Sequence, residues 1–185
     1  MKKAIGFTFL MFLAFRSMAQ VDVTINPIGL LFGNISAGAD IALGTEWSVE
    51  PGIQLDFNNY KINDLEYKNS GFGVTGIGKY YFNPEDGADK WNIGVYTQFN
   101  SGKWTANDGT TETKVTNNRF SVGFYTGYKW VSRRNIVFEL GFGVGRAFVN
   151  DYSHEDDNYD FSDFPLFNID FLGKLAVGYR FGSKS

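Results

Sequence analysis

"WSVEPGIQLDFN", Trp47 to Asn58, alternates without a break: Trp47, Val49, Pro51, Ile53, Leu55 and Phe57 on one parity, Ser48, Glu50, Gly52, Gln54, Asp56 and Asn58 on the other. A period of two sustained this long predicts a strand with one apolar and one polar face. The pattern returns near the end, where Ile169, Phe171, Leu175, Val177, Tyr179 and Phe181 oppose Asn168, Asp170, Lys174, Ala176, Gly178 and Arg180. Between them, Trp91 to Gly102, Phe120 to Val131 and Ile136 to Phe148 alternate over similar lengths. No window carries a convincing helical period.

One stretch invites another reading. "GFGVTGIGKYYFNP", Gly71 to Pro84, spaces Gly71, Gly73 and Gly76 as G-x-G-x-x-G. That fingerprint grips a dinucleotide only between a buried strand and a helix whose N-terminus meets the pyrophosphate. Here Phe72, Val74, Tyr80 and Phe82 share one parity, Gly71, Gly73, Thr75 and Lys79 the other, and the segment ends at Asn83-Pro84 with no helix to follow. The glycines thin a strand. "GFGVG", Gly141 to Gly145, reads the same way, and no cofactor is expected.

The connections differ in length. Gly44 to Glu46, Asn83 to Lys90 and Ser132 to Asn135 are tight, whereas 59–70, 103–118 and 149–167 are longer, polar and rich in Asn, Asp and Thr. Short turns at one end and long loops at the other mark an up-and-down barrel of the outer membrane. Counting outward, the segment before Gly44 must hold two strands, Val21 to about Leu31 and Ile35 to Leu43, broken at Phe32-Gly33-Asn34. That makes eight antiparallel strands, with both termini at the short-turn end.

Alternation alone does not separate this from a soluble ligand-binding barrel, whose apolar face points inward. Volume does: eight strands leave an interior just wide enough for side chains, and the apolar parity carries too many Phe, Tyr, Trp, Leu and Ile residues to enclose. The polar parity therefore faces the lumen. Trp47, Tyr80, Phe82, Trp91, Tyr128, Trp130, Tyr179 and Phe181 gather at the short-turn ends, where an interfacial girdle sits.

Bulk properties agree. Of 185 residues, 18% are aromatic and 22 are Gly against four Pro, a composition that favours strands. Lys2 and Lys3, the apolar run Ala4 to Phe15 and the small-x-small site Ser17-Met18-Ala19 predict a cleaved export signal over 1–19, with a single barrel domain over 20–185. Removing Lys2, Lys3 and Arg16 leaves 14 bases against 20 acids, and the net charge of −6 argues against a nucleic-acid partner. The absence of cysteine excludes disulfides and Cys-ligated metal.

With these features, "NPIGLLFGNISAGADIALGTEWSVE" (Asn26 to Glu50) and "LAVGYRF" (Leu175 to Phe181), the chain resembles the small outer-membrane β-barrel proteins of Bacteroidetes-type bacteria. It is also similar in plan to OmpX and the membrane domain of OmpA. The resemblance covers the mature chain and implies a partner, the barrel-assembly machinery, which reads a terminal aromatic. The resemblance gives that role to Phe181, although Gly182 to Ser185 follow it.

An inward polar face places Asp22, Asp40, Glu50, Asp56, Glu139 and Asp170 with Lys79, Lys129, Lys174 and Arg180 in the lumen. Charges enclosed in so narrow a space must be paired, so they are expected to close the barrel, the alternative being a narrow pore lined by the same groups. No enzymatic role is expected. The lone histidine, His154 in "NDYSHEDDNYD", neighbours Ser153 and Glu155, but adjacency in sequence does not build a Ser-His-acid site, and the His-x-Ser pattern of outer-membrane lipid deacylases is missing. The acids Asp151, Glu155, Asp156, Asp157, Asp160 and Asp163 fit no calcium-loop spacing and read as a solvated loop, so no metal is assigned. Expected partners are outer-membrane lipid and, through loops 59–70, 103–118 and 149–167, an extracellular ligand.

Overall fold

The computed structural model describes residues 20–62, 65–107, 112–154, 158–160 and 168–182. The export signal expected over 1–19 lies outside them. The strands are β1 (Val21–Ile25), β2 (Asn34–Ala42), β3 (Trp47–Ile62), β4 (Leu65–Tyr81), β5 (Lys90–Asn107), β6 (Glu112–Val131), β7 (Ile136–His154), β8 (Asn158–Asp160) and β9 (Ile169–Phe181). Each of β1 to β7 pairs antiparallel with the next, β9 pairs with β7 and with β1, and the sheet closes as an eight-stranded up-and-down barrel. The three-residue β8 is an accessory, paired with Asp151 to Ser153 at the far end of β7.

Register fixes the barrel's dimensions. From Val21 the ladder steps through Ile41, Val49, Gly78, Val95, Phe124, Val144 and Phe171, and the β9–β1 register then sets Phe171 against position 31, ten residues along from Val21. A shear of ten on eight strands, with ~3.3 Å per residue and ~4.8 Å between strands, gives a tilt of about 41° and a radius of about 8 Å. Each residue then climbs roughly 2.5 Å along the axis, and about ten residues cross an apolar band of about 25 Å. With 16 to 20 residues, β3 to β7 outrun that band.

The outward parity is apolar: Val49, Ile53, Leu55, Phe57, Phe72, Val74, Phe124, Phe142, Phe148 and Phe171 are all exposed. Between Phe120 and Ser121 the β6–β7 register shifts, because Phe120 faces Val149 while Ser121 faces Ala147. Phe148 is the extra residue, a bulge that turns both Phe148 and Val149 outward.

Two sequence expectations need correction. The first strand stops at Ile25 and does not reach Leu31. Asn26 accepts the backbone N–H groups of Ile28 (3.1 Å) and Gly29 (3.3 Å) on its Oδ1, Pro27 has no N–H to give a ladder, and Gly29 to Phe32 coil into a 3₁₀ turn closed by Gly33 at φ 68°. Asn26→Ala removes both bonds and is expected to cost about 1–2 kcal/mol, read as a lowered urea midpoint of the refolded protein.

The second correction concerns the long loops. The segments 59–70 and 103–118 are mostly paired strand, running up to Ile62↔Leu65 and Asn107↔Glu112, and β7 continues as strand to His154. Tyr, Trp, Thr and Val residues keep alternating there, and once a hairpin is in register each added pair extends the ladder without new loop closure. Residues 63–64, 108–111, 155–157 and 161–167 lie outside the described residues.

Candidate functional site: the charged lumen

The luminal parity carries charge because the tilted wall brings distant strands within side-chain reach of one axis. Eight of the ten predicted residues meet near the short-turn end. Lys79 of β4, fully buried, donates to Asp40 of β2 (2.9 Å), Glu139 of β7 (2.7 Å) and Glu50 of β3. Lys129 of β6 donates to Asp22 of β1 (2.9 Å) and Asp40 (2.6 Å). Lys174 of β9 donates to Glu139 (2.8 Å) and to both oxygens of Glu50. Arg180 grips Asp22 with both prongs, Nε to Oδ1 at 2.7 Å and Nη2 to Oδ2 at 2.8 Å. Four acids face four bases, so the enclosed charge of this cluster sums to zero.

The other two stand apart. Asp170 accepts from Tyr96 (2.7 Å) and lies 3.2 Å from Arg119, higher in the lumen. Asp56 accepts from Asn34 (2.6 Å) and Gln54 (3.2 Å) on the β2–β3 side.

Three tyrosines also point into the lumen, where the alternation of polar residues does not announce them. Tyr81 donates to Asp40 (2.7 Å), Tyr125 to Glu139 (3.0 Å) and Tyr96 to Asp170, and each has almost no exposure. Lys129 sits 5.0 Å above the Tyr81 ring and Lys79 5.6 Å from the Tyr125 ring, which places both ammonium groups within cation–π range. The available signal was parity: Tyr81 shares a face with Lys79, Tyr96 with Asn92, and Tyr125 with Ser121 and Lys129. The bulk of Tyr96 and Tyr125 fits because luminal positions beside them on β6 and β7 are glycine. A Cβ on Gly141 would run into the Tyr125 hydroxyl and ring, one on Gly143 would come 2.9 Å from the Tyr96 ring, and one on Gly127 2.8 Å from the Tyr125 hydroxyl.

The turn between β4 and β5 closes the near mouth. Glu85 and Asp86 give their backbone N–H groups to Asp89 (2.8 and 3.2 Å), which ties the turn into a knot. Arg180 then donates to the carbonyl oxygens of Asp86 and Ala88, the latter at 2.8 Å. Ala88 and Asp89 are buried, so "NPEDGADK" is a cork as well as a connection.

Asp40, Glu50 and Glu139 offer carboxylate oxygens within 4.8 Å of one another, a grouping of the size a divalent cation needs. The Lys79 ammonium donates to all three and takes the place such a cation would fill. Ser153 and His154 are consecutive in β7, and Glu155 lies outside the described residues.

The predicted girdle residues form ring contacts around the near end. Trp47 meets Tyr80 (5.0 Å) and Tyr80 meets Phe82 (5.2 Å). Trp91 meets Tyr128 (6.3 Å), Tyr128 meets Trp130 (4.4 Å) and Tyr179 meets Phe181 (5.0 Å). Trp47, Phe82, Trp91, Trp130, Tyr179 and Phe181 are exposed, while Tyr80 and Tyr128 are half-buried between neighbours.

A cluster of four acids and four bases thus sits inside a wall whose outer parity is apolar. Residues 5–164 match the family described as "Protein of unknown function (DUF3575)". The chain belongs to the DUF3575 family. No curated protein matches it. In fold the DUF3575 barrel is similar to a major outer membrane protein from Thermus thermophilus, with a TM-score of 0.52 and 12% identity over 89% of this chain and 98% of that one. At that identity the likeness is one of fold: a closed antiparallel barrel.

Proposed function

We propose that this DUF3575 protein is an integral outer-membrane barrel whose lumen is sealed and whose work is done at the surface, structurally or by adhesion, through the hairpins that rise beyond the membrane. The observation that carries the reading is the pairing of four acids with four bases inside a wall whose outer parity is apolar. A charged interior with an apolar exterior is stable when lipid surrounds it and inverted for a protein in water. Export by a cleaved signal over 1–19, outer-membrane lipid as solvent, recognition of the Phe181 strand by assembly machinery and the closer kinship with Bacteroidetes-type, OmpA-like and OmpX-like barrels belong to this proposal. No residue carries a catalytic role in it, and no nucleic acid, metal or cofactor takes part.

Hairpins support the surface role by reach. At about 2.5 Å per residue, the 20 residues of β6 span about 50 Å, roughly twice the apolar band. Two measurements test the reading. Refolded into detergent micelles, the protein is expected to run faster in SDS before boiling than after, with protease cutting confined to 63–64, 108–111, 155–157 and 161–167. In planar bilayers it is expected to show no discrete conductance. Solubility without detergent and no heat-dependent shift would overturn the membrane assignment, and steady channel openings would replace the sealed lumen with a narrow pore.

A further inference from the structure

The barrel wall is incomplete on one side. β9 runs from Ile169 to Phe181, yet β1 pairs only with Val177 to Phe181. Along Ile169 to Ala176 the β9 edge facing β1 has no strand partner, and no backbone hydrogen bond joins it to the turn 26–33 among the described residues. The cause is local: Asn26 and Pro27 end β1 on one side of the gap, and β2 resumes only at Asn34. Phe171, on the outward parity beside the gap, contacts Phe142 at 6.1 Å, so the gap opens at the depth of the apolar belt.

The Ile169 carbonyl accepts from Arg119 Nη2 at 2.6 Å; backbone left without a partner along the rest of that edge is tolerated at such depth only where it lines a cavity or is covered. A cavity of about 100 Å³ lies behind the gap, and its lining includes Thr24, Ser36, Glu50, Gln54, Leu172 and Lys174. One water needs ~10–15 Å³ on this measure, so the space holds a small polar head or a short length of one chain and excludes a two-chain lipid. Its floor is Lys174, the least buried base of the network at 12% side-chain exposure, where Lys79 and Lys129 have none. Outside the gap, Leu30 and Leu31 are 53% and 81% exposed, an apolar sill on the turn.

We infer that the gap between β1 and β9 is a lateral portal through which a single-chain lipid amphiphile enters the upper lumen from the surrounding leaflet. Its head hydrogen-bonds beside Lys174, Thr24 and Ser36, and its chain leaves past Leu172 over the Leu30-Leu31 sill. This site rests on the membrane reading above.

The chain has no cysteine, so a single introduced thiol reports one position. A fluorophore on Leu172→Cys faces the lumen; one on Val74→Cys, exposed on β4, faces bulk lipid. In phospholipid vesicles titrated with a nitroxide-labelled stearic acid, the Leu172→Cys signal is expected to be quenched saturably at low probe fractions, while the Val74→Cys signal falls gradually with probe content. Adding Ala176→Phe, which fills the cavity, is expected to abolish the saturable part, with the heat-dependent mobility shift retained as the sign of a folded barrel. An unquenched Leu172→Cys signal, or one that tracks Val74→Cys, overturns the portal. Should Ala176→Phe lose the mobility shift, Thr24→Leu serves as the filling variant. Loss of the shift in the parent protein would instead strike at the membrane reading.

Discussion

Lys79→Met is expected to abolish the compact, SDS-resistant form. The ammonium it removes is fully buried and holds Asp40, Glu50 and Glu139, so three carboxylates would remain enclosed with one base fewer among them. Breaking a buried ion pair from one side costs about 3–5 kcal/mol, chiefly because the orphaned charge has nowhere to go. Met keeps most of the volume, so the loss reports charge and not a cavity. The companion variant decides the cause: Lys79→Met with Glu139→Gln leaves three acids and three bases and is expected to recover part of the heat-dependent shift. Equal loss in the single and double variants would mean that packing, not charge balance, governs this region. A double-mutant cycle in urea then gives the coupling energy.

Gly141→Val is expected to have the next largest effect. Already a Cβ at this position would run into the Tyr125 hydroxyl and ring, and Tyr125 is fixed by its bond to Glu139 and by the nearby Lys79. Overpacking of a rigid interior costs about 1–3 kcal/mol, and here the displaced ring also gives up a hydrogen bond to a buried carboxylate. Tyr125→Leu in the same chain vacates the space and is expected to return part of the stability, measured as the temperature at which the fast-migrating band disappears. Gly78→Val makes the contrast, since nothing lies within 4 Å of a Cβ there and the position faces outward. It is expected to be silent.

These two positions also illustrate what the sequence could and could not disclose. Alternation at Trp47 to Asn58 carries the face assignment, because a two-sided wall demands a period of two and the register pairs its polar parity with Lys79, Gly73 and Gly71 on the same face. Parity alone puts Lys79 and Glu139 in the lumen, where both are fully buried. Which base meets which acid depends on the shear of ten residues, and shear is a property of the closed ladder, absent from any single strand. Tyr96 and Tyr125 escaped notice for a different reason. Aromatic residues serve both faces of this wall, and the inward choice depends on glycines at neighbouring luminal positions, Gly127 and Gly141 for Tyr125 and Gly143 on a different strand for Tyr96. The shortened β1 was legible in principle: Asn26-Pro27 is a turn signal, but it sits inside an otherwise apolar-rich run, Val21 to Phe32, that favours a longer strand. Asn83 to Lys90 has the sequence of a simple turn, and nothing local reveals that Arg180 will fasten it.

The order in which that fastening can happen has a consequence for assembly. Asp22 and Arg180 are separated by 158 positions, and the eight-residue charge cluster draws on every stave but β5. A nascent sheet that still lacks β9 leaves Asp22 at an open edge, without its Arg180 partner. Contacts of such long range make closure slow and late, and the last strand to arrive brings two of the four bases, Lys174 and Arg180. Neutrality of the eight-residue cluster is therefore reached only in the final zippering of β9 against β1, which makes the barrel its own inspector: a mis-registered or unclosed chain leaves that cluster with a net charge.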